Sequence, residues 1–169
     1  MGVVFDIGHQ AVGYEDIPTS LQKLVDNHVQ IVKLQEAASM RMAEVTQKTV
    51  DALQPYAKTI YLSQTCQKKD GQTTWFLNLE DAFEDWYRNP GPREWRTHFH
   101  VPVFLNDLGA FGTTRFALEE ALAFHKKSPL STHLEIETYT WDVLPEHLKT
   151  GDIVEYVTRE IDWVKGELA

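Results

Sequence analysis

The chain has 169 residues, of which 43% are hydrophobic, enough for one globular domain with a buried core. Its 25 acidic residues outnumber its 16 basic ones, and the net charge of -9 argues against nucleic acid or an anionic membrane surface as the main partner. With the single cysteine Cys66, no apolar run near the ~20 residues that cross a bilayer, and no signal-peptide pattern, the sequence predicts a cytoplasmic protein without disulfides.

Strands and helices alternate in the first third of the chain. Residues 2–9 are typical of a buried strand, and Asp16 with Pro18 indicates the start of a helix. Residues 29–36 are expected to form a second strand and residues 38–53 a second helix. This alternation favours a parallel α/β arrangement. Because a strand begins at the second residue, we expect the chain to be part of something longer.

The middle of the sequence interrupts this alternation. Two β-rich segments, residues 59–67 and 73–79, flank the dipeptide Asp70-Gly71, which is a strong hairpin signal. We therefore expect residues 55–95 to form an antiparallel hairpin and loop inserted into a parallel arrangement, within a single domain that spans residues 1–169.

The alternation then resumes. A short acidic helix is expected at 81–87, a strand at 97–104, a helix at 114–126, a strand at 133–140 and a last helix beginning at Asp152. We expect the four strands outside the hairpin to lie parallel and adjacent in sequence order, with the helices on the outside.

Ionisable and amide side chains recur at alternate positions of these four strands, where they share one face. A charged group in a strand buried on both faces costs several kcal/mol unless it is paired or bound to metal. We therefore expect these groups to converge at the carboxyl ends of the strands, where the active sites of β/α barrels lie. They are Asp6 in the first strand, Lys33 and Gln35 in the second, His98 and His100 in the third, and Glu135, Glu137 and Tyr139 in the fourth.

Several of these residues are suitable metal ligands. The pattern Asp6-x-x-His9, together with His100 and Glu137, offers mixed nitrogen and oxygen coordination to a divalent ion such as Mn, Mg, Co or Zn. For Lys33 a structural role is also open, either an ion pair with Asp6 or a stem that covers apolar surface.

Four segments carry a resemblance to a known family. FDIGH, VKLQEA, THFHVPVF and LEIETYTWDVLP resemble the xylose-isomerase-like TIM barrels, and more narrowly the EboE-type metabolite traffic proteins. The resemblance implies a metal-dependent sugar or sugar-phosphate isomerase or epimerase. It matches Asp6 and His9 to an Asp-x-x-His strand and Glu137 to a final-strand glutamate. The family's histidine on the intervening strand is not reproduced, since Lys33 and Gln35 stand there.

Taken together, these patterns assign a role to each candidate. We expect Lys33 and Glu137 to be catalytic, Gln35, His98 and Tyr139 to bind substrate, and Asp6, His9, His100 and Glu137 to bind metal. His100 enters this set from its phase on the strand and not from the family pattern.

The length of the chain bears on architecture and partners. A complete barrel needs ~250 residues, so four βα units predict the carboxyl-terminal half of a (β/α)8 TIM barrel. The open edges of such a half predict association with a missing amino-terminal half or with a second copy. Two other functions stay open. One is a non-catalytic metabolite-binding protein that uses the same pocket. The other is a free-standing doubly wound α/β domain that binds a small ligand at its switch point, although no glycine-rich phosphate loop follows any strand.

Overall fold

The computed structural model describes residues 1–57, 62–137, 141, 149 and 151–169. The strands in these ranges are β1 (Val3–Asp6), β2 (Ile31–Glu36), β3 (Ala38–Met42), β4 (Thr65–Lys69), β5 (Gln72–Phe76), β6 (Glu94–Val101), β7 (Gly112–Thr113) and β8 (Leu134–Ile136). The helices are α1 (Ile7–Val12), α2 (Ile17–Asp26), α3 (Gln47–Ala57), α4 (Leu79–Arg88), α5 (Arg115–Lys127) and α6 (Ile153–Leu168).

The described strands form two sheets. The first is parallel, with the order β1-β2-β8, and the second is antiparallel, with the order β5-β4-β6-β3-β7. Strands β2 and β3 belong to different sheets although only Ala37 separates them. The chain therefore passes from one sheet to the other within a single residue.

The predicted half barrel is wrong, although the chain is an α/β protein. Three of the four strands expected to be parallel, β1, β2 and β8, do lie parallel. The fourth, β6, lies in the other sheet and is antiparallel to β3 and β4. The physical reason is that alternation of side chains records which face of a strand is buried but not the direction of its neighbours. The resemblance to xylose-isomerase-like barrels, including the EboE type, is therefore also wrong, because the described strands do not form part of a barrel.

The helix expected over residues 38–53 is also wrong in its first part. Residues 38–42 are strand β3, and helix α3 begins only at Gln47 and continues past Pro55 instead of ending before it. Strand β3 pairs with β6 on one side and β7 on the other, and four of its five residues are buried. This tertiary pairing overrides the local helix propensity of the segment.

The hairpin is present, but it is not an insertion into a parallel sheet. Strands β4 and β5 pair antiparallel around Asp70 and Gly71, whose φ angles of 50° and 78° are those of a two-residue hairpin turn. Strand β4 also pairs with β6, so the hairpin forms one edge of the second sheet. Residues 59–61 of the predicted strand lie outside the described residues. The assignment of residues 1–169 to one domain stays a prediction.

The second sheet is covered on both faces, as the alternation in β6 shows. Residues 95, 97, 99 and 101 face the core, where the Phe99 ring meets Tyr56 of α3 edge-on with centroids 5.2 Å apart. Residues 94, 96, 98 and 100 face the other way, and the Arg96 guanidinium donates to the carbonyl of Ala11 in α1 at 2.7 Å. The polar face of β6 therefore meets α1, which directly follows the end of β1.

Within the described residues, the structure has no helix that is both long enough and apolar enough to span a membrane.

Candidate functional site

The site begins where β1 gives way to α1. Asp6 is the N-cap of α1, and its Oδ1 accepts a hydrogen bond from the backbone N–H of His9 at 3.0 Å. Its Oδ2 lies 2.8 Å from Nδ1 of the same histidine. The Asp6-x-x-His9 spacing therefore joins the two side chains across one helical turn.

Gln35 joins this pair to a second carboxylate. In the parallel register Gln35 is the partner of Asp6, and its Nε2 donates to Asp6 Oδ2 at 3.1 Å. The same nitrogen donates to Oε2 of Glu137, which follows β8. One amide thus holds two carboxylates close together and supplies a hydrogen to each, which offsets part of their mutual repulsion.

The remaining members come from the second sheet. His98 and His100 lie two residues apart on the polar face of β6, and their Nε2 atoms are 3.0 Å apart. Nδ1 of His100 lies 3.1 Å from the carbonyl oxygen of Glu137. Because a carbonyl only accepts, Nδ1 of His100 carries the proton, and its Nε2 accepts from Nε2–H of His98 when both rings are neutral. The unprotonated nitrogen of neutral His98 is therefore Nδ1.

Burial favours the neutral form of both β6 histidines. It lowers the pKa of His98 to about 3, with the neighbouring His100 and His9 acting in the same direction. Burial also lowers the pKa of His100, against the attraction of the Glu137 and Asp6 charges. Only 9% of His98 and 2% of His100 is exposed.

The ring of His9 touches that of His98, with centroids 3.9 Å apart. The pKa of His9 is nevertheless raised, whereas that of His98 is lowered. The hydrogen bond to Asp6 raises the pKa of His9 above its ordinary value and outweighs its partial burial. Burial of Asp6 favours its neutral form, but the His9 ring and backbone hold the pKa of Asp6 below its ordinary value. Two imidazoles in contact thus differ in the protonation state that each favours.

The structure brings together six of the sequence-predicted residues, namely Asp6, His9, Gln35, His98, His100 and Glu137. Lys33 lies on the same face of β2 as Gln35, but its ammonium pairs with Glu135 at 2.7 Å. In the register it is opposite Val4, two residues before Asp6. Tyr139 lies outside the described residues.

The donor atoms of this cluster suit a divalent ion in type, but several of them bind one another. Within the part of the chain that the structure describes, no group of three or more His, Cys, Asp and Glu side chains is placed to hold a metal ion. The physical reason is that the groups bind one another. Nε2 of His98 and of His100 share a hydrogen bond, and Asp6 Oδ2 accepts from Gln35. Metal binding by Asp6, His9, His100 and Glu137 stays a prediction.

Sequence reasoning missed Glu36, the last residue of β2. It is fully buried, and both carboxylate oxygens lack a hydrogen-bond partner among the described residues. A signal was available, because Glu36 is in phase with Val32 and Leu34 and so lies on the opposite face from Gln35. An acidic residue in an apolar phase is costly to bury and therefore informative.

Comparison of the chain with protein-family models, with curated proteins and with solved structures finds no match to any of them.

Proposed function

We propose that the cluster around His9 and His98 is the acid–base site of an isomerase or epimerase acting on a small hydroxylated metabolite such as a sugar or sugar phosphate. The observation that carries the proposal is the contact of two imidazoles whose pKa values are shifted apart, that of His9 upward and that of His98 downward. Neighbouring groups with opposite shifts are a hallmark of acid and base partners in catalysis.

The geometry supports a division of roles. Nδ1 of neutral His98 takes a proton from the carbon next to a carbonyl, while Nε2–H of protonated His9 gives its proton to the carbonyl oxygen. The electron pair of the broken C–H bond forms the double bond of an enediol. For isomerisation, protonated His98 then gives its proton to the former carbonyl carbon while Nε2 of His9 takes the proton of the hydroxyl on the neighbouring carbon, which becomes the new carbonyl. For epimerisation, the enediol turns its other face to His98 before the carbon regains the proton, and Nε2 of His9 takes back the proton that it gave to the oxygen. Half of the His9 side chain is exposed, so the acid lies where a substrate reaches it.

The carboxylates complete the site. Glu137 is about a third exposed and accepts hydrogen bonds from substrate hydroxyls, and Asp6 keeps His9 protonated and oriented. Lys33 has no part in this proposal, because its ammonium is bound to Glu135.

The test is exchange of substrate hydrogen with solvent. The chain is incubated in deuterium oxide with a panel of aldoses, ketoses and their phosphates, and NMR records deuterium at carbon and any isomer formed. We expect exchange with at least one substrate, and a loss of about 100-fold or more in His98→Asn and in His9→Asn. His28→Asn is the matched control, since His28 is exposed and its φ of 55° suits asparagine.

Two outcomes contradict the proposal. The first is exchange that persists in both site variants. The second is a sugar that shifts the NMR signals of His9 and His98 without exchange or isomer formation, which would make the cluster a non-catalytic binding site.

A further inference from the structure

A second feature lies on the opposite face of β2 from the acid–base cluster. None of Glu36 is exposed to solvent, and neither carboxylate oxygen has a hydrogen-bond partner among the described residues. Leaving a buried acceptor unsatisfied costs about 1–3 kcal/mol, and more when the group is charged. A ligand that donates hydrogens to these oxygens would remove this cost.

Glu36 is one of the residues that line a cavity of about 520 Å3 between the first sheet and α6. This volume falls in the range of about 300–1,000 Å3 that is common for small-molecule pockets. Its apolar walls are Leu134 and Ile136 of β8 and Val157, Ile161, Val164 and Leu168 of α6. Thr132, Glu135 and Lys165 also line it, and burial alone, without a contribution from Lys165, shifts the pKa of Glu36. A fully buried acid beside a predominantly aliphatic wall is the arrangement that binds an amphipathic molecule.

The chemistry of Glu36 selects the polar end of that molecule. Two unpartnered oxygens require two donated hydrogens, and an ammonium carries three where a hydroxyl carries one. Burial raises the pKa of Glu36 to about 7, so a cationic partner also favours the ionised form near neutral pH. A carboxylate ligand would instead place two acids against each other.

We infer that this cavity binds a small amphipathic amine, whose ammonium pairs with Glu36 and whose hydrocarbon body lies against the aliphatic side chains of β8 and α6. The site is separate from the acid–base cluster, because Gln35 and Glu36 point to opposite faces of β2. It does not depend on the proposed isomerase function.

The experiment uses hexylammonium as the probe, with hexanol and hexanoate as matched molecules of the same chain length. Calorimetric titration at neutral pH should show hexylammonium binding to the wild type about tenfold or more tightly than either, since hydrogen bonds to a charged group contribute about 1.5–3 kcal/mol. The same preference should disappear in Glu36→Gln. Glu135→Gln is the matched control, because Glu135 lines the cavity but is exposed and pairs with Lys33. It should keep the preference.

A second variant tests the cavity without touching the acid. Ile161→Trp places a ring in the space, and Ile161 is already 39% exposed, so the larger side chain leaves the core in place. We expect it to abolish hexylammonium binding. Failure of hexylammonium to bind the wild type at low millimolar concentration would overturn the inference. Unchanged binding in Glu36→Gln or in Ile161→Trp would overturn it as well.

Discussion

His9 and His98 are two imidazole rings in contact with each other, but their surroundings differ. The acid Asp6 lies against His9, whereas His98 is buried between α1 and β6 beside a second imidazole. The pKa of each ring therefore records its own neighbours and not its residue type. This difference is measurable without a substrate.

We expect NMR titration of the histidine rings to separate the two. His9 should lose its proton above pH 6.5, because its hydrogen bond to Asp6 raises its pKa, and His98 should stay neutral until the pH approaches about 3. Asp6→Asn should lower the pKa of His9, while Asp26→Asn, an exposed change on α2, should not. A His98 ring that protonates near pH 6.5 would contradict the burial described for it.

Gln35 gives a second prediction at this scale. Gln35→Glu would place a third carboxylate between those of Asp6 and Glu137 and remove both donated hydrogens. We expect a loss of about 2 kcal/mol or more in the free energy of unfolding at neutral pH, and a smaller loss in acid as the carboxylates protonate. The matched control is Gln22→Glu, whose amide binds Asp26 on an exposed helix face and should cost less than about 0.5 kcal/mol. Equal losses in chemical denaturation would contradict the bridging role.

Alternation along strands was enough to predict much of this cluster. It placed Gln35 on one face of β2 and His98 with His100 on one face of β6, as the structure has them. It did not predict that Lys33 stops short of the cluster, since that depends on the register that sets Lys33 opposite Val4. Register is fixed by pairing with residues far away in sequence, and the pattern within one strand does not contain it.

At the scale of elements, one buried guanidinium ties α4 to the second sheet. The Arg93 side chain is fully buried and lies just before β6. Its Nη1 donates to Oδ2 of Asp85 in α4 and to Oε1 of Gln67 in β4, both at 2.8 Å. The same Gln67 oxygen accepts from the Trp95 indole at 2.9 Å. The planar fork of arginine is what allows these several partners to be met at once.

Arg93→Lys should therefore be strongly destabilising. A lysine ammonium keeps the charge but does not reach both partners in the arginine geometry, so buried acceptors are left unsatisfied. We expect a loss of about 3 kcal/mol in the free energy of unfolding by urea denaturation. Arg88→Lys in α4 is the control, because the pair of Arg88 with Glu84 is exposed and should contribute under about 0.5 kcal/mol. A loss that is no larger than the control's would show that the network is dispensable.

The elements also show where sequence reasoning stops. The hairpin at Asp70-Gly71 and the N-cap of α6 at Asp152 are local signals, and both are present where predicted. The direction of β6 and the strand at residues 38–42 depend on partners in other parts of the chain. Three of the four strands predicted to be parallel are parallel, and β6 is not, because the regular βα alternation of the first third of the chain does not extend to it.

At the scale of the molecule, Glu36 and His98 make opposite contributions to the pH dependence of stability. The pKa of Glu36 rises from 4.5 to about 7 on folding, so between these values the native state binds more protons and stability falls as pH rises. The pKa of His98 falls from 6.5 to about 3, so between those values the unfolded state binds more protons and stability rises with pH. The two effects overlap between pH 4.5 and 6.5 and oppose each other there.

Replacing either Glu36 or His98 should leave the contribution of the other residue to the pH dependence of stability unopposed. Across that window, the stability of Glu36→Gln should rise with pH relative to the wild type, and that of His98→Gln should fall, each by up to about 1.4 kcal/mol per pH unit. The double variant should follow the wild-type curve. Urea denaturation at several pH values measures all four proteins. Single-variant curves that run parallel to the wild type would contradict these assignments.

The sequence predicts association with a missing amino-terminal half or with a second copy because a half barrel has open edges. The described strands do not form a half barrel, so this argument for association no longer holds. Pairing with a missing half or with a second copy stays a prediction, as does the cytoplasmic location.

Ala37 links the two sheets, because it is the only residue between β2 and β3. It is 1% exposed, and a Cβ added to Gly8 of α1 would lie 3.0 Å from the Cβ of Ala37. A new chain terminus here would free two strand ends within the core, whereas one at Asp70-Gly71 would open only an exposed turn. Two fragments split at the turn should therefore reassemble into the folded protein when mixed, and two fragments split at Ala37 should not, which circular dichroism of each mixture measures.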